Sequence, residues 1–201
     1  MGAPRSEGAT DGLSFRPLRP SDLPLMHRWL NAPHVARWWY GEDASWRGIQ
    51  EKYFPRIEDR EPVEPHVILH GDDPIGYIQA YPISHDEEYA RLVGVEDSAG
   101  VDLFIGEEEY LYRGLGSEIL RRFLAEVVFR DEGVQACVIG PEPENVAAIR
   151  AYEKAGFRFF KTIQVPAEPE PEYLMKITRE GFETASITNR KGQGCRQRPR
   201  G

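Results

Sequence analysis

Arg113-Gly114-Leu115-Gly116 stands between an apolar run and a strongly periodic helical stretch. Glycines there remove the Cβ atoms that would keep a ligand off the backbone. Free N–H groups at a helix start then favour a phosphate or diphosphate. The segment has neither the Gly-Lys-Ser/Thr ending of a P-loop nor three spaced dinucleotide glycines, and two glycines before a helix, taken alone, are more often just a tight turn. Downstream lies Pro141-Glu-Pro-Glu-Asn145-Val-Ala-Ala-Ile-Arg150-Ala-Tyr152-Glu-Lys154-Ala-Gly156-Phe157. Asn145 can cap a helix, and its amide can also bond a ligand. Tyr152 lies two turns further along the same helical face, as a core aromatic or as a group at the site. Asp102 is the one acid inside the apolar run Val101-Asp-Leu-Phe-Ile105. Burial would raise its pKa, and a cationic partner would pull it back down. Trp38, Trp39 and Tyr40 cluster beside Glu42 and Asp43, a place where ammonium groups meet π faces and carboxylates, although one tryptophan is expected to be core. Asp86-Glu-Glu88 and Glu168-Pro-Glu-Pro-Glu172 are solvated faces or the rim of a cationic cleft.

These groups need elements to hold them. Leu13–Leu18 alternates like a strand, and Ser21-Asp22 reads as the cap of a helix carrying Leu23, Met26, Trp29 and Leu30. A second helix, 45–57, spaces Trp46, Ile49, Tyr53, Phe54 and Ile57 at helical intervals. Val67–Leu69 and Ile75–Tyr81 flank Gly71-Asp-Asp73 as a hairpin. After the strand Val101–Ile105, residues Leu115, Ile119, Leu120, Phe123, Leu124, Val127 and Val128 form one apolar stripe. Ala136–Ile139 is a strand, Asn145–Ala155 a helix closed by Gly156, and Phe157–Phe160 and Tyr173–Ile177 the last strands. Alternating strands and helices predict a layered α/β protein.

The 201 residues carry 40% apolar and 29% charged residues, the composition of a soluble globular chain. No apolar run has membrane-spanning length. Residues 1–12 are expected to be a disordered leader, 13–182 the single folded domain and 183–201 a basic disordered tail. The formal net charge is −8, yet the tail is basic, so residues 13–182 are more acidic than the whole. Such a surface repels nucleic acid and anionic membranes and attracts a cation; on composition alone, acidity that merely keeps the protein soluble is at least as good a reading. Two cysteines, Cys137 and Cys195, exclude a disulfide framework and suit a reducing cytoplasm. Five histidines without ligand spacing predict no metal.

The Gly114-Leu-Gly116 loop, its preceding strand and Asn145…Tyr152-Glu-Lys-Ala-Gly-Phe157 resemble the GCN5-related N-acetyltransferases (GNAT). A narrower likeness runs through Trp29-Leu-Asn, Pro33-His34-Val, Trp38-Trp39-Tyr-Gly-Glu42, Gln50-Glu-Lys-Tyr53, Pro74-Ile-Gly-Tyr77-Ile-Gln79-Ala-Tyr81 and Val101-Asp102. It is similar to aminoglycoside 6'-N-acetyltransferases. The resemblance implies a mixed, mostly antiparallel central sheet flanked by helices, with acetyl-CoA as co-substrate. It implies a cofactor site of Leu103, Phe104, Ile105, Tyr112, Arg113, Gly114, Leu115, Gly116, Ser117, Asn145, Ala148, Tyr152 and Lys154. It implies an aminoglycoside site of Trp38, Trp39, Tyr40, Glu42, Gln79, Tyr81 and Asp102. Two positions depart from the family pattern: Leu111 where Arg or Gln is usual, and Gly140 where Asp is frequent. At Gly140 a carboxylate contact to substrate is therefore missing or replaced.

Acetylating an amine requires its proton to leave, an assignment for Asp102 as base and as anchor of the ammonium. Tyr152 is the expected proton donor to the departing thiolate, and backbone N–H groups near Leu103 and Phe104 the expected oxyanion donors. No cysteine or serine stands beside a base, so direct attack in a ternary complex is expected rather than an acyl-enzyme. Cys137, in a core strand, is expected to be inert. Two other readings remain open: acylation of a siderophore hydroxylysine or a protein amine, and a non-catalytic acyl-CoA-binding module. The molecule is expected to be a monomer or weak homodimer.

Overall fold

The computed structural model describes residues 12–39, 41, 43–166 and 170–185. Its strands are β1 (Leu13–Pro17), β2 (Glu64–His70), β3 (Asp73–Pro82), β4 (Ser98–Ile105), β5 (Ala136–Ile139), β6 (Arg158–Ile163) and β7 (Glu172–Thr178). They form one sheet in the order β1-β2-β3-β4-β5-β7-β6. Neighbours pair antiparallel except β4 with β5, which run parallel. The helices are α1 (Leu23–Leu30), α2 (Pro33–Ala36), α3 (Trp46–Ile57), α4 (Glu87–Val93), α5 (Leu115–Glu126) and α6 (Val146–Ala155). The mixed, mostly antiparallel sheet with flanking helices agrees with the expected layering.

Each face of the sheet buries a different set. On one, the α5 stripe of Leu115, Ile119, Leu120, Phe123 and Leu124 packs with Val101, Ile139, Met175 and, from α6, Tyr152 and Ala155. Full burial of each such aliphatic or aromatic side chain contributes roughly 1.5–3 kcal/mol. The other face is divided. Leu23, Met26 and Trp29 of α1, with Ile49 and Tyr53 of α3, cover Tyr77 and Phe104. Val93 of α4 covers Val138 and Leu174. Between these two clusters the sheet is left open, and its floor there is polar.

Local signals explain most boundaries. Gly71 (φ +64°) makes the two-residue β2–β3 turn. Ser45 Oγ accepts from Gly48 N at the start of α3. Gly156 (φ +114°) ends α6. Four details differ from expectation. Asp22 does not cap α1 with its side chain; its carboxylate accepts from both Arg16 guanidinium nitrogens, at 2.6 and 2.8 Å, and from Arg19 N. α5 stops at Glu126, and Val128 belongs to a following 3-10 turn. Trp46 is exposed rather than on the buried face of α3. α4, capped by Asp86 Oδ1, rises from a stretch read only as acidic surface. At the C-terminal end, residues 179–185 are helical, so regular structure enters the stretch expected as tail; residues 1–11 and 186–201 lie outside the described residues.

Candidate active site

The open floor begins with a strand that loses its neighbour. β4 and β5 pair only through Ser98–Gly100 and Ala136–Val138. Beyond Gly100, β4 continues to Ile105 alone on that side while β5 ends at Ile139. Gly106 N donates to Ile75 O, and antiparallel pairs alternate, so Phe104 and Asp102 are the residues bonded to β3. The amides of Leu103 and Ile105 therefore point into the β4–β5 gap. Phe104, expected to offer a backbone donor, has its N–H in the β3 ladder and its ring against Trp39 and Tyr77. His34 reaches the same gap, its Nε2 lying 3.2 Å from Ile105 O.

The gap opens into a cavity of about 1180 Å³ that contacts both faces of the sheet. At one end is the start of α5. Gly114 adopts φ +78°, a conformation that favours glycine, and nothing lies within 4 Å of where its Cβ would be. No side chain caps α5, so its first N–H groups and the positive end of its dipole face the cavity. Ser117 is buried and turns its hydroxyl to Gly114 O. Gly116 faces α6, where a Cβ would meet Ala151 Cβ at an ordinary contact distance of 3.4 Å. Arg113 lies over the Tyr110 ring, and Tyr112 is almost fully exposed with φ +58°.

α6 supplies the adjoining wall. Asn145 Oδ1 accepts from Ala148 N at 3.1 Å, so the oxygen caps the helix and the Nδ2 donor is the group available to a ligand. Ala148, Arg150, Tyr152 and Lys154 line the cavity. Tyr152 is buried, and burial together with the Asp102 charge pushes its phenol well above the ordinary range. It holds its proton, as a donor to a leaving thiolate must. Arg150, one turn before Lys154, was not anticipated; Arg150 and Lys154 place two positive charges on this wall.

At the other end, Asp102 pairs across the ladder with Gln79. Gln79 Nε2 donates to Asp102 Oδ2 at 2.8 Å, and the Tyr81 hydroxyl lies 3.5 Å from Oδ1. The Gln79 oxygen accepts from Tyr77 Oη at 2.7 Å and Arg56 Nη1 at 2.8 Å. Two donors on the oxygen fix the amide's orientation, so its nitrogen must face Asp102. Arg56 therefore reaches Asp102 through Gln79. Burial pushes the carboxyl above the ordinary range, against the opposing pull of Gln79, Tyr81, Arg56 and Lys52. Trp38 and Trp39 both line the cavity, Trp38 beneath Arg37. Tyr40 and Glu42, expected beside them, lie outside the described residues.

Near the end of β5, Glu172 occupies the place where a side chain on residue 140 would go: a Cβ on Gly140 would overlap its Oε2. That oxygen accepts from Tyr89 Oη at 2.8 Å. A carboxylate stands there, carried by β7. Cys137 is fully buried with its thiol pushed up by burial. Among the described residues no group of three His, Cys, Asp or Glu is placed to hold a metal, and no helix is long and apolar enough to cross a membrane.

The uncapped start of α5, the β4–β5 gap, the carboxylate of Asp102 and the Tyr152 side chain thus share one cavity. In agreement, a sequence model of the acetyltransferase (GNAT) domain matches residues 19–165, and the chain belongs to that family. Within it, the chain is 33% identical over 178 residues to the aminoglycoside N(6')-acetyltransferase type 1 of Klebsiella pneumoniae, covering 87% of each. The aminoglycoside acetyltransferase AAC(6')-Ib, solved with coenzyme A and kanamycin, is 31% identical with a TM-score of 0.76, covering 87% of this chain and 99% of that one. The N(6)-hydroxylysine O-acetyltransferase of Escherichia coli is 26% identical over 77% of this chain and 49% of its own length.

Proposed function

We propose that this protein is an aminoglycoside 6'-N-acetyltransferase conferring resistance to those antibiotics. One observation carries the reading: a single cavity joins the uncapped α5 N-terminus to the Gln79-bound carboxylate of Asp102. The fit to coenzyme A rests on this chain's own groups. The N–H groups of Leu115, Gly116 and Ser117 would hold the diphosphate, and Arg150 and Lys154 would add positive charge beside it. Bound there, acetyl-CoA supplies the activated acetyl group. Asp102 anchors the acceptor ammonium and accepts its proton, so that the neutral amine can attack in a ternary complex. Leu103 and Ile105 amides, pointing into the β4–β5 gap, receive the charge that grows on the carbonyl oxygen. Tyr152, kept protonated by its surroundings, donates to the departing thiolate. Trp38, Trp39, Gln79 and Tyr81, with Tyr40 and Glu42, complete the acceptor side, where sugar C–H faces meet indole rings. A domain over residues 13–182 in the cytoplasm suits this chemistry.

Purified protein with acetyl-CoA should release free thiol on addition of kanamycin or tobramycin, and 6'-hydroxyl analogues should be poor acceptors. No turnover with 6'-amino compounds, together with turnover of a hydroxylysine acceptor, would refute the assignment.

A further inference from the structure

The Gln79 amide that faces Asp102 can be turned two ways. It is buried, and it presents Nε2 to the carboxylate only while its oxygen points elsewhere. Turned over, it would set an oxygen against Asp102 and favour the protonated carboxyl. Two side chains meet the Gln79 oxygen: Tyr77 Oη at 2.7 Å and Arg56 Nη1 at 2.8 Å. They are not equivalent. A phenol can donate or accept, so Tyr77 suits either orientation of the amide. A guanidinium donates at its nitrogens and accepts at none, so Arg56 takes the oxygen and rejects the NH2 group.

The guanidinium is itself held in place. Its side chain is only 15% exposed, and Nε donates to Glu61 at 3.1 Å. Its carbon lies 5.6 Å from the centre of the Tyr53 ring, and Tyr53 packs with Tyr77 in the cluster that joins α3 to β3. Charge around Asp102 is arranged to match. Arg56 and Lys52 of α3 bring positive charge toward it. Tyr81 of β3, Tyr89 of α4, Cys137 of β5 and Tyr152 of α6 are pushed upward by burial and stay neutral, and Glu172 of β7 bonds the Tyr89 hydroxyl. Of the two cations, Arg56 is the one in contact with Gln79.

We propose that Arg56 is a positioning residue for the acyl transfer: it locks the Gln79 amide with its nitrogen toward Asp102, and so keeps that carboxylate ionised and aimed at the acceptor amine. The inference rests on the acetyltransferase reading above and names the group that holds its base ready. An Arg56 that only tied α3 to the sheet would affect stability and leave the ionisation of Asp102 alone.

kcat/KM for kanamycin, read as thiol release, is measured across pH for the wild type, Arg56→Met, Arg56→Lys, Tyr77→Phe, Gln79→Leu and the double variant Arg56→Met/Gln79→Leu. Methionine fills the space without a donor. Its acidic limb should move to higher pH by about one to two units, the size of one hydrogen bond to a charged group. Lysine donates and cannot accept, so Arg56→Lys should recover at least half of that shift. Tyr77→Phe keeps the ring in the core and leaves Arg56 in place, so it tests the same point without disturbing the arginine. Its limb should move less than half as far as that of Arg56→Met. In the Gln79→Leu background the effect of Arg56→Met should shrink by at least half, because two residues that act through one contact are not additive. No shift in Arg56→Met, no recovery by lysine, a Tyr77→Phe shift as large as that of Arg56→Met, or full additivity with Gln79→Leu would each overturn the proposal. Those results in an enzyme whose wild type acetylates kanamycin leave the acetyltransferase reading standing; a wild type inactive on every aminoglycoside would sink both.

Discussion

Replacing Asp102 with Asn changes one charge and almost no shape. In the structure the carboxylate takes a 2.8 Å bond from Gln79 Nε2 and lies 3.5 Å from the Tyr81 hydroxyl. An asparagine can keep its oxygen toward Gln79 and offer its nitrogen to the Tyr81 oxygen, so the floor of the cleft should retain its geometry. The variant loses the proton acceptor and the negative charge that holds the ammonium. Loss of a positioned general base typically costs about 10²–10⁴ in rate, or roughly 3–5.5 kcal/mol of transition-state stabilisation. Turnover of kanamycin, followed as thiol release, should fall within that range. Acetyl-CoA affinity, measured by calorimetry, should move less than threefold, because the α5 N-terminus lies at the other end of the cavity. A variant retaining a third or more of wild-type kcat/KM would refute the base assignment. A collapse of acetyl-CoA binding would show that the two ends are not separable.

Three further outcomes follow from neighbouring groups. Tyr152→Phe should lower kcat about tenfold or more, with acetyl-CoA affinity intact by calorimetry; an unaltered kcat would remove the tyrosine from proton donation. Gln79→Leu removes a donor that favours ionised Asp102, so the carboxyl should shift further upward. Since Asp102 acts when ionised, the acidic limb of the kcat/KM profile should move to higher pH; a shift to lower pH would contradict the network. Gly114→Ala forces a side chain into the left-handed region at about 1–2 kcal/mol, a drop of several degrees in melting temperature. Because nothing lies within 4 Å of the new methyl, a larger loss would show that the loop is constrained by more than its backbone angle.

The parts of the molecule that the sequence made legible are those governed by local rules. The α5 stripe, the Gly71 turn and the closure of α6 by Gly156 each depend on residues within a turn or two of one another. Asp102 stood out because an acid in an apolar strand needs a reason. What was not legible depends on register between distant strands. That Phe104's amide is taken by β3 while Leu103's points into the β4–β5 gap follows from strand pairing, which spacing along one strand does not reveal. Arg56 is a helical residue 23 positions from Gln79, and no local pattern marks it as the group that orients that amide. Glu172 reaches Gly140 only because β7 lies beside β5. α4 was hidden because its acidic first turn, with Asp86 as cap, looks the same as a solvated surface run.

The most direct test is the position of the new acetyl group. Kanamycin treated with this protein and acetyl-CoA should yield a single product whose NMR spectrum shows an amide at N6' and free amines elsewhere. An acetyl group on a ring amine, on a hydroxyl, or on no kanamycin atom at all would contradict the account.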